Sequence, residues 1–204
     1  MSTSKGKSGS INLSIKNYSG LIKDIQKINK EAENVVTKTV SDFKSRAPAW
    51  VSAAVTETYG ISKSDVKGAF TGAKKSAGTI KASGNEVDNI GLVYKGRVLT
   101  PTHFKMKPKT KPEGNKPYQV TAEIYKGKRK VLSSIAFLAD NRGGGYIPFQ
   151  RKGKARLPVE SIKTVSVPQM IENKDVAAKV GENIEAGLGK RVEHHLNQAL
   201  KHRS

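Results

Sequence analysis

Cysteine is absent from the 204 residues, which excludes disulfides, Cys-ligated zinc and thiol nucleophiles together. Aromatic residues make up only 6% of the chain, so the stacking platforms that read single-stranded nucleic acid lack their raw material. No apolar run approaches the ~18 residues a membrane-spanning helix needs, and no membrane partner is expected. The opening MSTSKGKSGS has no apolar stretch of the secretory kind. Its Ser, Gly and Lys content reads as a flexible N-terminal arm over residues 1–10. Acidic residues are also outnumbered: 37 Lys and Arg face 17 Asp and Glu, a formal charge of +20. The surplus sits mid-chain, where residues 61–160 hold 21 basic and 7 acidic residues, against 7 and 5 in 161–204. Such a surplus suits a polyanion or an acidic protein surface as partner. A lysine-solvated surface has the same composition.

What is present is organised by period. INLSIKN (11–17) reads as a short strand. Residues 19–47 carry Leu21, Ile25, Ile28, Ala32, Val36, Val40 and Phe43 at spacings of three or four, one stripe of a long helix. Pro48 is expected to open a second helix, which Gly60 closes. Ser62 and Asp65 form a capping pair for a third, short helix. From residue 76 the pattern is that of strands: GTIKAS, IGLVY with a turn at Lys95–Gly96, VLTPTHFKMK, YQVTAEIY, KVLSSIAFLA, YIPFQR and ARLPVESIKTVSV. In YQVTAEIY the alternation is strict. Pro168 then starts a last helix over 168–201, with possible breaks at Gly181 or Gly189. Its Val176, Val180, Ile184, Leu188, Val192, Leu196 and Leu200 recur every four residues, a stripe that spirals round a straight helix. The expected class is α+β, a single domain over 11–204. It is helical over 18–73, mostly strand over 76–167 and helical over 168–201. A mostly antiparallel sheet is packed by a long N-terminal helix, short helices and a long C-terminal helix.

Catalytic patterns are not found. His194 and His195 are adjacent, about 100° apart on a helix, and with His202 they read as solvated residues near a helix C-terminus. His103 falls in an expected strand without a carboxylate or serine nearby in sequence. Gly143–Gly145 lack the downstream Gly-Lys-Ser/Thr of a phosphate loop, and no paired-carboxylate motif occurs. No enzyme activity, metal or cofactor is expected.

Three basic clusters remain as candidate DNA- or partner-facing sites. Lys105, Lys107, Lys109 and Lys111 alternate, which in an extended chain puts them on one side. Lys126, Lys128, Arg129 and Lys130 sit at a hairpin turn, and Arg151, Lys152, Lys154 and Arg156 at another. Phosphate attraction through them would be non-specific and salt-dependent. No helix-turn-helix or RNP-like pattern accompanies them.

The stretch FQRKGKARLPVESIKTVSVPQM (149–170) resembles the signature of the phage minor tail protein Z family. Phe149, Arg151, Gly153, Lys154, Arg156, Leu157 and Pro158 match its first part, and Ser166, Val167, Pro168, Gln169 and Met170 its second. YGISKSDV (59–66), GRVLTPTHF (96–104) and AF (136–137) agree. Val159 stands for the usual isoleucine, Thr164–Val165 for a Gly–Pro turn, and KMKPKTKPEGNKP is an elaboration of this chain. The resemblance implies a virion protein that completes the tail at its head-proximal end and contributes to head–tail joining. The implied setting is a homo-oligomeric ring, sixfold as one arrangement, around the DNA path. The implied partners are the tail terminator, head-connector proteins and tail tube, with non-specific contact to packaged DNA. Phe149, Gly153, Leu157, Pro158, Pro168, Gln169 and Met170 would be its structural residues. A nucleic-acid-binding module of prophage origin and a distal tail-tip component stay open beside it.

Overall fold

A computed structural model describes residues 7–13, 30–71, 78–84, 90–114, 116–141 and 145–201. Two long helices dominate it, α1 (Lys30–Thr58) and α4 (Lys174–Lys201). At about 1.5 Å per residue each spans roughly 40 Å. They run antiparallel, because Asp42 meets Arg191, the Trp50 carbonyl accepts from Asn183 at 3.3 Å, and Glu57 pairs with Lys179. Val36, Val40, Phe43, Ala47, Val51 and Val55 of α1 are buried, as are Val176, Val180, Ile184, Leu188 and Val192 of α4. Val36, Val40 and Phe43 are positions of the expected first stripe, which Ala47, Val51 and Val55 carry on past its expected end, and the five α4 residues belong to the expected second one. Residues 19–29 lie outside the described residues, as do residues 14–17 of the first expected strand.

Pro48 does not open a new helix; it lies inside α1. It forgoes the bond to the Lys44 carbonyl, a cost of about 3 kcal/mol in a helix interior. The apolar stripe runs unbroken across it from Phe43 through Ala47 to Val51, all fully buried, and that packing outweighs the lost bond. The C-terminal break is likewise displaced. Gly181 and Gly189 lie within α4, and the interruption falls at Asn173, after a short α3 (Val167–Glu172). The Asn173 side-chain oxygen accepts from the amides of Asp175 at 3.1 Å and Val176 at 3.5 Å, capping α4. Between α1 and the sheets, α2 (Lys63–Thr71) begins at the expected pair: Ser62 Oγ accepts from the Asp65 amide at 3.0 Å and donates to Asp65 Oδ2 at 2.7 Å.

The strands are antiparallel but divided among three small sheets: β1 (Lys7–Leu13), β3 (Ile90–Gly96) and β2 (Thr79–Ser83); β4 (Thr121–Tyr125) with β5 (Lys128–Val131); and β6 (Phe137–Asp140), β7 (Tyr146–Arg151) and β8 (Val159–Ser161). β1 starts at Lys7, so the arm expected over 1–10 is shortened by pairing that extends to Lys7↔Gly96. The same pairing keeps Lys95–Gly96 in strand rather than turn. VLTPTHFKMK is no strand. Pro101–His103 form a 3₁₀ turn, after which Phe104 enters the main core while Met106 enters a second one. In a strand, residues two apart share a face; Lys105 between them, at φ 44°, turns the chain instead. KVLSSIAFLA is split between two sheets by a turn, with the Ala136 amide bonded to the Ser133 carbonyl at 3.2 Å. The strand expected over Pro158–Val167 is reduced to Val159–Ser161, because Leu99 captures Thr164 through both its amide and its hydroxyl, at 2.8 and 2.9 Å.

The main core joins α1, α4, α2, α3 and the β1–β3–β2 sheet. The second core, Met106, Val120, Ala136 and Leu138, lies among the smaller sheets, and Leu132 packs against both.

Candidate interaction surface

The first two basic clusters converge on one carboxylate. Glu123 of β4 accepts from Lys105 Nζ at 3.1 Å and from the Gly127 amide at 2.9 Å, with Arg129 Nη2 at 3.8 Å. The Gly127 amide first, then the Lys105 ammonium, hold its carboxyl below the usual range. Arg129 also donates to the Lys105 carbonyl at 3.0 Å. Of the four alternating lysines, Lys105 reaches Glu123 and borders a groove together with Lys109, the Lys107 backbone makes a two-bond bridge to Thr121, and Lys111 is exposed. The β4–β5 tip itself, with Lys126, Lys128 and Lys130, is exposed. Its root is tied to the end of α1: the Gly60 amide donates to the Ile124 carbonyl and the Lys126 amide to the Thr58 carbonyl, both at 2.9 Å, and Tyr59 stacks on Tyr125.

The third cluster stands apart on the β7–β8 hairpin, where every residue from 151 to 160 is exposed. Lys152 Nζ lies 3.5 Å from Glu160. Among the described residues no ion pair holds Arg151, Lys154 or Arg156. The Gln150 side chain, with weaker help from Lys152, keeps the Glu160 carboxyl low. Behind the tip, Phe149 stacks on Phe137 with ring centroids 6.2 Å apart. Beside it is a hollow of about 730 Å³ lined by Ile135, Phe137, Arg151, Lys152 and Lys154.

A larger groove, about 1170 Å³, is bordered by Arg97, Lys105, Lys109 and Lys163, with Asp65 and His103 in its wall. His103 Nδ1 lies 3.6 Å from Asp65, a partner far away in sequence that no local pattern nominates. That contact, ahead of the opposing burial, lowers the Asp65 pKa. Ser62 bonds Asp65 rather than His103, so this trio lacks the order a nucleophilic triad requires. Among the described residues no group of three or more His, Asp or Glu is placed to hold a metal.

His195 departs from the solvated reading. It is 8% exposed, and Nε2 lies 2.9 Å from Asp42, which also accepts from Arg191. Its place between Val192 and Leu196 on the spiralling stripe turns it toward α1. His194, the next residue round, is exposed. His202 lies outside the described residues. Burial alone would raise the Asp42 pKa, but the hydrogen bonds from Arg191 and His195 outweigh it and the net shift is downward.

The remaining singled-out residues divide. Pro168 and Met170 are buried in α3, and Gln169 closes a capping box: its amide donates to Ser166 Oγ at 3.3 Å while its side chain accepts from the Ser166 amide at 2.9 Å. The Ser-x-x-Gln spacing carried that signal. Gly153, Leu157 and Pro158 are exposed instead, and a Cβ at Gly153 would meet nothing.

The family model described as prophage minor tail protein Z (GPZ) matches residues 14–203. No curated protein and no solved structure matches the chain.

Proposed function

The chain belongs to the prophage minor tail protein Z family, a structural component of the phage tail, and from that premise we propose that it completes the tail at its head-proximal end and takes part in head–tail joining. The observation that carries this reading is the division of the molecule into a packed helical body and basic hairpin tips that stand exposed to solvent. A protein repeated as a ring would turn those hairpins toward shared neighbours, namely a tail terminator, head-connector proteins and the tail tube. The charge surplus of +20 suits either acidic faces on those neighbours or the DNA path. No catalytic step is assigned. The test is genetic and direct. A phage lacking this chain should accumulate filled heads and unjoined tails, and added wild-type protein should restore joined particles. Joined, infectious particles formed without it would overturn the reading.

Non-specific contact with packaged DNA is the second reading, favoured by Arg151, Lys154 and Arg156, which have no acidic partner among the described residues. Three phosphate contacts would make log K fall with log salt with a slope of about −2.7. A response near zero removes DNA from the account while leaving the joining role intact.

A further inference from the structure

We infer that the β7–β8 tip docks on an acidic surface of a partner protein, with Leu157 as its apolar anchor; this deepens the head–tail joining role and rests on it. Exposed large apolar side chains are not spread evenly over the described residues. Of the six, Ile135 at 57%, Leu157 at 69% and Val159 at 37% belong to this hairpin or to the hollow beside it. Leu157 and Val159 are on its returning arm. Ile135 lines the hollow together with Arg151, Lys152, Gly153 and Lys154 of the outgoing one.

Apolar side chains set among unpaired cations form the pattern of a protein–protein contact, in which a dry centre is surrounded by a polar rim. A sugar–phosphate backbone offers an apolar anchor nothing to fill. A surface built for DNA alone would gain nothing from presenting Leu157 to water. Arg151 and Arg156 suit carboxylates, which a guanidinium grips through two parallel bonds. A second copy of the same tip is excluded as occupant by its own charge. The root is firm enough to hold a binding geometry: β7 is paired on both sides, at Phe137↔Phe149 and at Phe149↔Ser161, and the Lys152 amide bonds the Pro158 carbonyl at 3.1 Å.

The experiment mixes purified full-length chain with tails assembled in its absence, reading uptake by co-sedimentation and, in parallel, affinity for a short DNA duplex. The variants are Leu157→Ser and the pair Arg151→Glu with Arg156→Glu; all three sites are exposed, and unchanged melting confirms intact folding. Loss of an anchor of hot-spot size should lower uptake by Leu157→Ser about tenfold or more, while its duplex affinity stays at the wild-type value. The charge-reversed pair should lose both. Wild-type uptake by Leu157→Ser, or a fall in uptake matched by an equal fall in duplex affinity, would overturn the docking. Failure of the wild-type chain itself to enter the tails would instead overturn the joining role beneath it.

Discussion

Gly60 sits where the helical body meets the β4–β5 hairpin, and its lack of a side chain is what lets the two close. A Cβ there would collide with the backbone carbonyl oxygen of Glu123, which cannot swing aside as a flexible side chain could. Gly60→Ala should therefore cost about 1–3 kcal/mol, read as a lowered urea midpoint. The sequence reading placed Gly60 as a helix end. It could not see the strand that passes over it, because that strand lies more than sixty residues further along the chain. Asp42 is a second residue of this kind. With its pKa held below that of an ordinary aspartate by Arg191 and His195, its contribution is full above the ordinary value and is lost as pH falls through the lower, folded one. Asp42→Asn should cost about 1–3 kcal/mol at neutral pH by leaving buried donors poorly matched. The gap between variant and wild type should narrow in melts below about pH 4. The orientation of His195 was legible in principle, since it follows from the drift of a four-residue stripe. Its acidic partner on the other helix was not.

Elements were legible where a period ran long. Val36, Val40 and Phe43 in α1 and Val176 to Val192 in α4 stand as read, and Leu188, fully buried between the two helices, should cost about 2–5 kcal/mol when cut to alanine, again as a shifted denaturation midpoint. Short signals competed less well with tertiary demands. Pro48 is a strong stop by its own chemistry, yet the stripe that crosses it decided the outcome. The segment at Phe104 and Met106 alternates like a strand, but each side chain serves a different core, so the chain must turn between them. Capping chemistry fared better, at Ser62–Asp65 and again at Ser166–Gln169. Gln169→Ala removes one half of the second box and should cost about 0.5–2 kcal/mol, measured by thermal melting, with α4 content unchanged by circular dichroism because Asn173 caps that helix independently.

At the scale of the molecule, the α+β class and the antiparallel pairing could be read from the chain, whereas the division into three sheets could not. That division depends on side-chain captures such as Leu99 with Thr164, which leave no periodic trace. The basic clusters were visible as charge, but charge alone does not say which lysines are occupied internally. Glu123 pairs with Lys105 and Arg129, which stay exposed but are no longer unpartnered. The β7–β8 tip keeps its cations and adds an exposed leucine. A body that holds the fold is thus distinct from an exposed basic tip, which we propose meets a neighbour at the tail joint. Cross-linking mass spectrometry on intact virions tests that claim most directly. Links from Lys152 and Lys154 to the tail terminator or head-connector proteins are the predicted result. Links confined to tail-tip proteins, or absence of the chain from the virion, would contradict it.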